Sequence, residues 1–289
     1  MKYACGVILY NPDKDVKKRL EGYASIFDQL IVYDNSSKSN EALVENISNT
    51  VYLHTGSNDG MSIALNEIYR YVIKNHFDIL LTMDQDTVYP IAEIEKMKKY
   101  IEACNDKNAA VYSANYAKLY ESNQGKKVGK LNIPRTENKD ILFSMTSGSF
   151  MNVKYLPSVL PLDDWFIGFV DYDVCAAIKT KNPSAKIIRY GNSVMYQEVG
   201  RIVKDHWINK MLHVVHQSDI RYYYMIRNIY WFIDKYSMNS EYISLAKRQM
   251  VRILFNILFE DRRIDKIRYC VKGKIDYGKG KTGKYGIKE

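Results

Sequence analysis

The apolar run ILLTM at 79–83 leads into Asp84, Gln85, Asp86 and Thr87, and these acids are the first residues whose types and spacing could do chemistry. In an open parallel sheet, ligands bind beyond the carboxyl ends of the strands. Two carboxylates there, one residue apart, can hold a divalent cation that in turn bridges a diphosphate. The spacing alone is not specific: D-x-D recurs at 13/15 and 171/173, and Asp also favours turns and helix caps. A second candidate is Asp34-Asn35, at the end of QLIVYD (29–34). Asp34 could accept hydrogen bonds from a base N–H or a ribose hydroxyl, or it could close an Asx turn. A third is SNDGMSIALN (57–66), where Gly60 precedes a helix whose N-terminus faces the same sheet edge and would attract an anion.

The elements that must position these residues alternate between strand and helix. YACGVILY (3–10), closed by Asn11-Pro12, then QLIVYD, VYLHT (51–55) and FDILLTMD (77–84) read as strands. Residues 13–27, 60–74 and 90–101 read as helices; in the second, Met61, Ala64, Leu65, Ile68 and Val72 recur at helical spacing. Continuous apolar strands alternating with helices predict a parallel sheet covered on both faces. Farther on, AAVYSA (109–114), ILFSMTSGSFM (141–151) and AKIIRYG (185–191) read as strands, 121–139 as a loop or hairpin, and DYDVCAAIKTK (171–181) as a helix. From 219 to about 268 the chain is helical and aromatic. A boundary near 205 gives a catalytic domain at 1–205, a helical region at 206–268 and a basic tail at 269–289. The tail repeats Lys and Gly without a core pattern and is expected to be flexible.

At 289 residues the chain is about two typical domain lengths, or one α/β domain with an appendage. It is 46% hydrophobic and 26% charged, enough to bury a sizeable core. The formal charge of +9 is uneven: ten basic and three acidic residues lie between Arg262 and Glu289. Cations gathered in a short tail, with no recognised motif, argue against a nucleic-acid-binding protein. The first twenty residues lack a basic segment leading into a long apolar one, so no signal peptide is expected. The densest apolar run, RILFNILF (252–259), falls short of a membrane span. Cys5, Cys104, Cys175 and Cys270 show no CxxC or zinc spacing and read as reduced thiols of a cytosolic protein.

GVILYNP, VYDNSS, NDGMSIALN and LLTMDQDT, in this order, resemble the family-2 inverting glycosyltransferases of the GT-A fold. MTSGSF (145–150) is similar to the segment lining the acceptor side in that family. WFIGFVDYDVCAAIK (165–179) is similar to its F-x-x-x-x-D-x-[DE]-x-C block, whose first acid is the catalytic base. HQSDIRYYYMIRN (216–228) resembles the HS-x-x-R-x-YY-x-x-RN segment of the bacterial rhamnosyltransferase branch, and D-Q-D and YNP point to that branch as well. The resemblance implies an α/β fold: a GT-A, Rossmann-like, mostly parallel sheet with helices on both faces, plus a C-terminal helical, basic extension.

It also implies roles for individual residues. Tyr10, Asn11, Asp34 and Asn35 would contact the nucleoside, Gly60 and Asn66 would line the donor diphosphate, and Asp84 and Gln85 would face the ribose or donor sugar. Asp86 would coordinate Mg²⁺ or Mn²⁺, and Asp171 would deprotonate the acceptor hydroxyl. Thr146, Ser147, Gly148 and Asp173 would line the acceptor side. Arg221 and Arg227 would approach the donor phosphates and Tyr224 the acceptor, the alternative for all three being a structural helix with packed rings and exposed cations. Two positions depart from the pattern. Gln197, in SVMYQEVG (193–200), stands where the family commonly has a metal-binding His, with His206 nine residues on; Gly168 stands where the rhamnosyltransferase branch often carries an acid.

The implied reaction is a single in-line displacement at the anomeric carbon, which inverts it. A divalent metal would neutralise the departing nucleoside diphosphate, and a carboxylate within about 3 Å would take the acceptor proton. The donor implied first is dTDP-rhamnose, with a UDP-hexose or a non-catalytic nucleotide-sugar binder as alternatives. The acceptor would be a saccharide or lipid-linked saccharide of cell-surface polysaccharide synthesis. Residues 243–259, with Lys247, Arg248 and Arg252, read either as a helix packed on the catalytic domain or as an interfacial helix on anionic lipid. The expected location is the cytoplasm, at the inner face of the cell membrane, with the basic tail as a further lipid contact.

Overall fold

Every residue of β1 (Tyr3–Leu9) is buried, and its side chains divide by parity as the pleat requires. Tyr3, Cys5, Val7 and Leu9 pack with α1 (Val16–Ala24) and α3 (Ile91–Ala103); Ala4 and Ile8 pack with α2 (Gly60–Lys74) on the opposite face. A strand apolar on both sides belongs in the middle of a sheet between helical layers. The computed structural model describes residues 1–13, 15–121, 127–129, 136–201 and 216–286.

The strand order is β3 (Thr50–His54), β2 (Gln29–Asp34), β1, β4 (Ile79–Asp84), β9 (Ser149–Asn152), β6 (Ala109–Glu121), β10 (Lys186–Arg201) and β5 (Thr87–Val88). β7 (Lys127–Gly129) pairs with β6, and β8 (Lys139–Asp140) with β10. β3, β2, β1 and β4 run parallel, as do β6 and β10; β9 lies antiparallel between β4 and β6 and joins the two blocks. Ile8 pairs with Asp84 and Leu9 with Asp34, so both acids reach the same sheet edge. Because β9 is reversed, its first residue, Ser149, pairs with Thr82. The segment just before it therefore lies at that edge too.

The predicted strand at 141–151 is confined to Ser149–Asn152. The residues before it form a loop whose polar groups bond to the end of β4 and to α4 (Val170–Lys181), which a paired strand would not allow.

Among the described residues three further helices follow: α5 (Asp219–Lys235), α6 (Ser240–Ile257) and α7 (Arg263–Gly278). Tyr222, Ile226, Ile229 and Phe232 of α5 join the α2 and α4 core. The boundary near 205 lies outside the described residues. The tail expected from 269 opens inside α7, and residues 279–286 run back along the domain. Gly283 N–H donates to Asp164 O (2.6 Å) and Tyr285 N–H to the Tyr224 hydroxyl (2.7 Å). α7 turns small and polar residues inward. Cys270, Gly273 and Asp276 are buried, a Cβ on Gly273 would lie 2.5 Å from Tyr223 O, and Asp276 accepts from the Tyr223 hydroxyl (3.0 Å). A helix seated this way has no apolar inner stripe to read.

Candidate active site

Two adjacent residues tie the ends of the sheet to α4. Thr146 donates from its backbone N–H (2.9 Å) and its hydroxyl (2.6 Å) to Asp171 Oδ1. Its neighbour Ser147 accepts from Asp84 N–H (3.0 Å) and donates to Thr87 Oγ1 (2.8 Å). The hydroxyl of Thr82 donates to Thr146 O (2.5 Å), and Gly148 N–H donates to Thr82 O (2.8 Å). One loop thus holds the Asp171 carboxylate and the backbone of Asp84. Gly148 allows the turn: its φ is +77°, and a Cβ there would collide with the Met195 sulfur. Asp171 sits in the first turn of α4, where the helix dipole favours a negative charge.

Asp84 is held in a field of like charge. Burial first, then the Asp86 and Asp171 carboxylates, push it up to about 7, with Arg221 acting in the opposite direction. Arg221 is exposed in the first turn of α5 and near enough for its charge to act on Asp84. Asp86 is exposed, and strand pairing sets Gln197 of β10 opposite Thr87, the next residue after Asp86. Carboxylate and amide oxygens, as on Asp84, Asp86 and Gln197, are hard donors of the kind that suits Mg²⁺ or Mn²⁺. His206 lies outside the described residues.

At the ends of β1 and β2 a second network forms. Tyr10 is 51% exposed, and its backbone N–H and C=O pair with the Gln85 side chain (2.8 and 3.0 Å). Asn11 N–H donates to Ser36 Oγ (2.7 Å). Asp34 is buried. Its Oδ1 accepts from Ser36 N–H (2.9 Å), an Asx-turn bond, and its Oδ2 from Asn40 and the Tyr52 hydroxyl (2.6 Å). Burial alone would raise Asp34, but these hydrogen bonds hold it below the ordinary carboxylate range. Asn35 donates to Gly60 O (3.2 Å) and accepts from Asp59 N–H (3.1 Å), so β2 and α2 are clipped together.

Several residues expected at the donor or acceptor are engaged elsewhere. Gly60 has φ +83°, and a Cβ would lie 2.5 Å from Phe166 O, which accepts the Met61 N–H (2.6 Å). The start of α2 is thus capped by the 163–169 loop. Asn66 exchanges two hydrogen bonds with the Leu162 backbone (3.1 and 2.8 Å). Asp173 is fully buried in a salt bridge to Lys235 (2.8 Å) and accepts from the Tyr236 hydroxyl (2.7 Å). Tyr224 is buried against Phe166, with ring centroids 4.9 Å apart. Arg227, fully buried, donates to Trp165 O (3.0 Å), Gly283 O (2.8 Å) and Asn228 (3.0 Å). The Tyr224 ring is packed, as in the structural-helix alternative, whereas Arg227 is a buried cation where that alternative expected an exposed one.

Phe166 was legible only as the first residue of the F-x-x-x-x-D block, and nothing in the residue types signalled that it and Phe169 would both sit at φ 63°, flanking Gly168 at +82°. Left-handed backbone at aromatic residues is strained, and here it turns the chain just before Asp171. Thr87, buried and bonded to Ser147, was legible only as part of DQDT. Elsewhere His216, Glu260 and Asp261 cluster like metal ligands, but the Lys266 ammonium lies 3.0 Å from Glu260 and supplies the positive charge.

The crystal structure of GalNAc-T7 with UDP, GalNAc and Mn²⁺ aligns with 68% of this chain and 43% of that one, at 10% identity and a TM-score of 0.50. This chain therefore spans less than half of that protein. S. aureus TarS, residues 1–349, aligns with 97% of this chain and 92% of that one, at 13% identity and a TM-score of 0.49. At 10% identity the likeness to GalNAc-T7 concerns the fold alone. No curated protein matches the chain. The profile of glycosyl transferase family 2 matches residues 6–159, more than half the chain and the whole of the sheet edge that carries Asp34, Asp84 and Asp86; the chain belongs to that family.

Proposed function

We propose that the protein is an inverting glycosyltransferase that moves a sugar from a nucleoside-diphosphate donor to a saccharide or lipid-linked saccharide at the inner face of the cell membrane. The observation that carries the reading is the loop at 146–147, which fixes the Asp171 carboxylate and the end of β4 with consecutive residues. In this reading the acceptor hydroxyl gives its proton to Asp171 Oδ2, Oδ1 being held by Thr146. Asp171 is the base, and general-base help of this kind is typically worth about 10²–10⁴ in rate. Tyr10 offers an exposed ring to the nucleobase, backed by Asn11, Asp34, Asn35 and Gln85. Arg221 faces the donor phosphates.

Asp86 and Gln197, with Asp84, would hold Mg²⁺ or Mn²⁺. The crowding of carboxylates that raises Asp84 fits a site built for a cation. When bound, such an ion neutralises charge on the leaving diphosphate.

The proposed donor is dTDP-rhamnose, on the resemblance of residues 216–228 to the rhamnosyltransferase branch. A UDP-hexose is the second reading, favoured by Gly168: its left-handed φ suits glycine and not the acid often found there in that branch. Asp171→Asn is the test, with donor hydrolysis as the rate and donor-induced thermal stabilisation as the binding readout. Turnover should fall at least about 100-fold while stabilisation by the donor persists. Unchanged turnover refutes the base, and no stabilisation by any nucleotide sugar refutes the transferase.

A further inference from the structure

α6 and α7 each carry a second apolar face that the fold does not cover. On α6, Val251 (67% exposed), Leu254 and Phe255, with Leu258 just beyond its end, follow i, i+3, i+4, i+7 spacing, one stripe of a helix. On α7, Ile264 (68% exposed), Ile267, Val271 and Ile275 follow i, i+3, i+7, i+11. The inner faces are separate, formed by Tyr242, Leu245, Ala246, Ile253 and Ile257 of α6 and by Cys270, Gly273 and Asp276 of α7. Exposed apolar side chains gathered in this way mark an interaction surface.

Charge identifies the occupant. From Leu245 to Ile275 nine Lys or Arg stand against three Asp or Glu, a net +6. Lys247, Arg248, Arg252, Arg263, Lys272 and Lys274 are exposed beside the apolar stripes. A second copy of the chain would bring a second set of these exposed cations to the contact, and like charges disfavour it. A nucleic acid would satisfy the cations and leave the leucines and isoleucines in water. An anionic bilayer surface offers headgroup charge to the cations and an acyl boundary to the apolar stripe. No helix among the described residues is long and apolar enough to cross a membrane, so the helices would lie on the surface.

We propose that the outward faces of α6 and α7 dock the enzyme on an anionic lipid surface, with Val251, Leu254, Phe255 and Leu258 entering the interface. This deepens the membrane placement above and rests on it only for the acceptor. The experiment reads binding without donor or acceptor, so its failure leaves the transferase reading intact.

Deleting 262–289 would strip α7 from α5, so point variants of the full chain are used. Co-sedimentation is measured with vesicles of phosphatidylcholine alone or containing phosphatidylglycerol. Binding is expected only with phosphatidylglycerol, falling at least about 10-fold in high salt, in Lys272→Glu/Lys274→Glu and in Leu254→Ser/Phe255→Ser/Leu258→Ser. An unchanged unfolding midpoint should accompany the last variant, since its positions are exposed. No binding to phosphatidylglycerol vesicles, equal binding to neutral ones, or indifference to the serine variant overturns the proposal. So does a dimer in size-exclusion chromatography that the serine variant dissociates.

Discussion

Removing the Asp84 charge should stabilise the protein while abolishing its activity. Burial and two neighbouring carboxylates raise this group to about 7, against about 3.9 for an ordinary aspartate. At about 1.36 kcal/mol per pKa unit, the ionised form costs the folded state up to about 4 kcal/mol. Asp84 is only half-buried, and solvent screening brings the expectation to about 1–3 kcal/mol. The sign follows from linkage: the folded value lies above the unfolded one, so the folded state holds its proton to higher pH. The cost is absent below about pH 4, grows as pH rises towards 7 and is complete above it. Asp84→Asn should therefore raise the unfolding midpoint by about 2–5 °C at pH 8, and by little at pH 4. Saturating Mn²⁺ should narrow the difference at pH 8, because a cation held only by the native carboxylates stabilises the unsubstituted protein more. Thermal unfolding across pH, with and without Mn²⁺, is the assay. A midpoint lowered at pH 8, or raised equally at both pH values, would show that the carboxylates do not crowd one another.

The two arginines of α5 should separate cleanly. Arg227→Met removes hydrogen bonds from a fully buried guanidinium and should cost about 3 kcal/mol in urea unfolding. Arg221→Ala should shift stability by under about 0.5 kcal/mol yet lower kcat/KM for the donor; similar stability losses in both would refute the division. Gly60→Ala sets a methyl against Phe166 O at a left-handed φ and should cost about 2 kcal/mol or more. Unchanged stability there would mean that the 163–169 loop does not rest on α2.

Local pattern was enough for the frame. β2 and α2 occupy 29–34 and 60–74 as read from the residues, because strand burial and helical periodicity are properties of short segments. The acids at 84 and 86 stand where an apolar run stops, which is where a strand leaves the core. Local pattern could not show how polar side chains would be spent. Asn66, Asp173 and Arg227 match donor- or acceptor-binding positions by type and order, yet each is consumed by a backbone or side chain that arrives from far along the chain. Arg221 and Arg227 lie under two helical turns apart and differ only in which neighbours the packing brings. α7 was hidden because its inner face is Cys, Gly and Asp and its isoleucines point outward, the reverse of the stripe that periodicity detects. Short segments encode the first strands and helices and the chemical types at their ends; which of those groups share a space is a property of the folded chain, since the approach of Asp171 to Asp84 and Asp86 depends on a reversed strand and a loop that no short segment encodes.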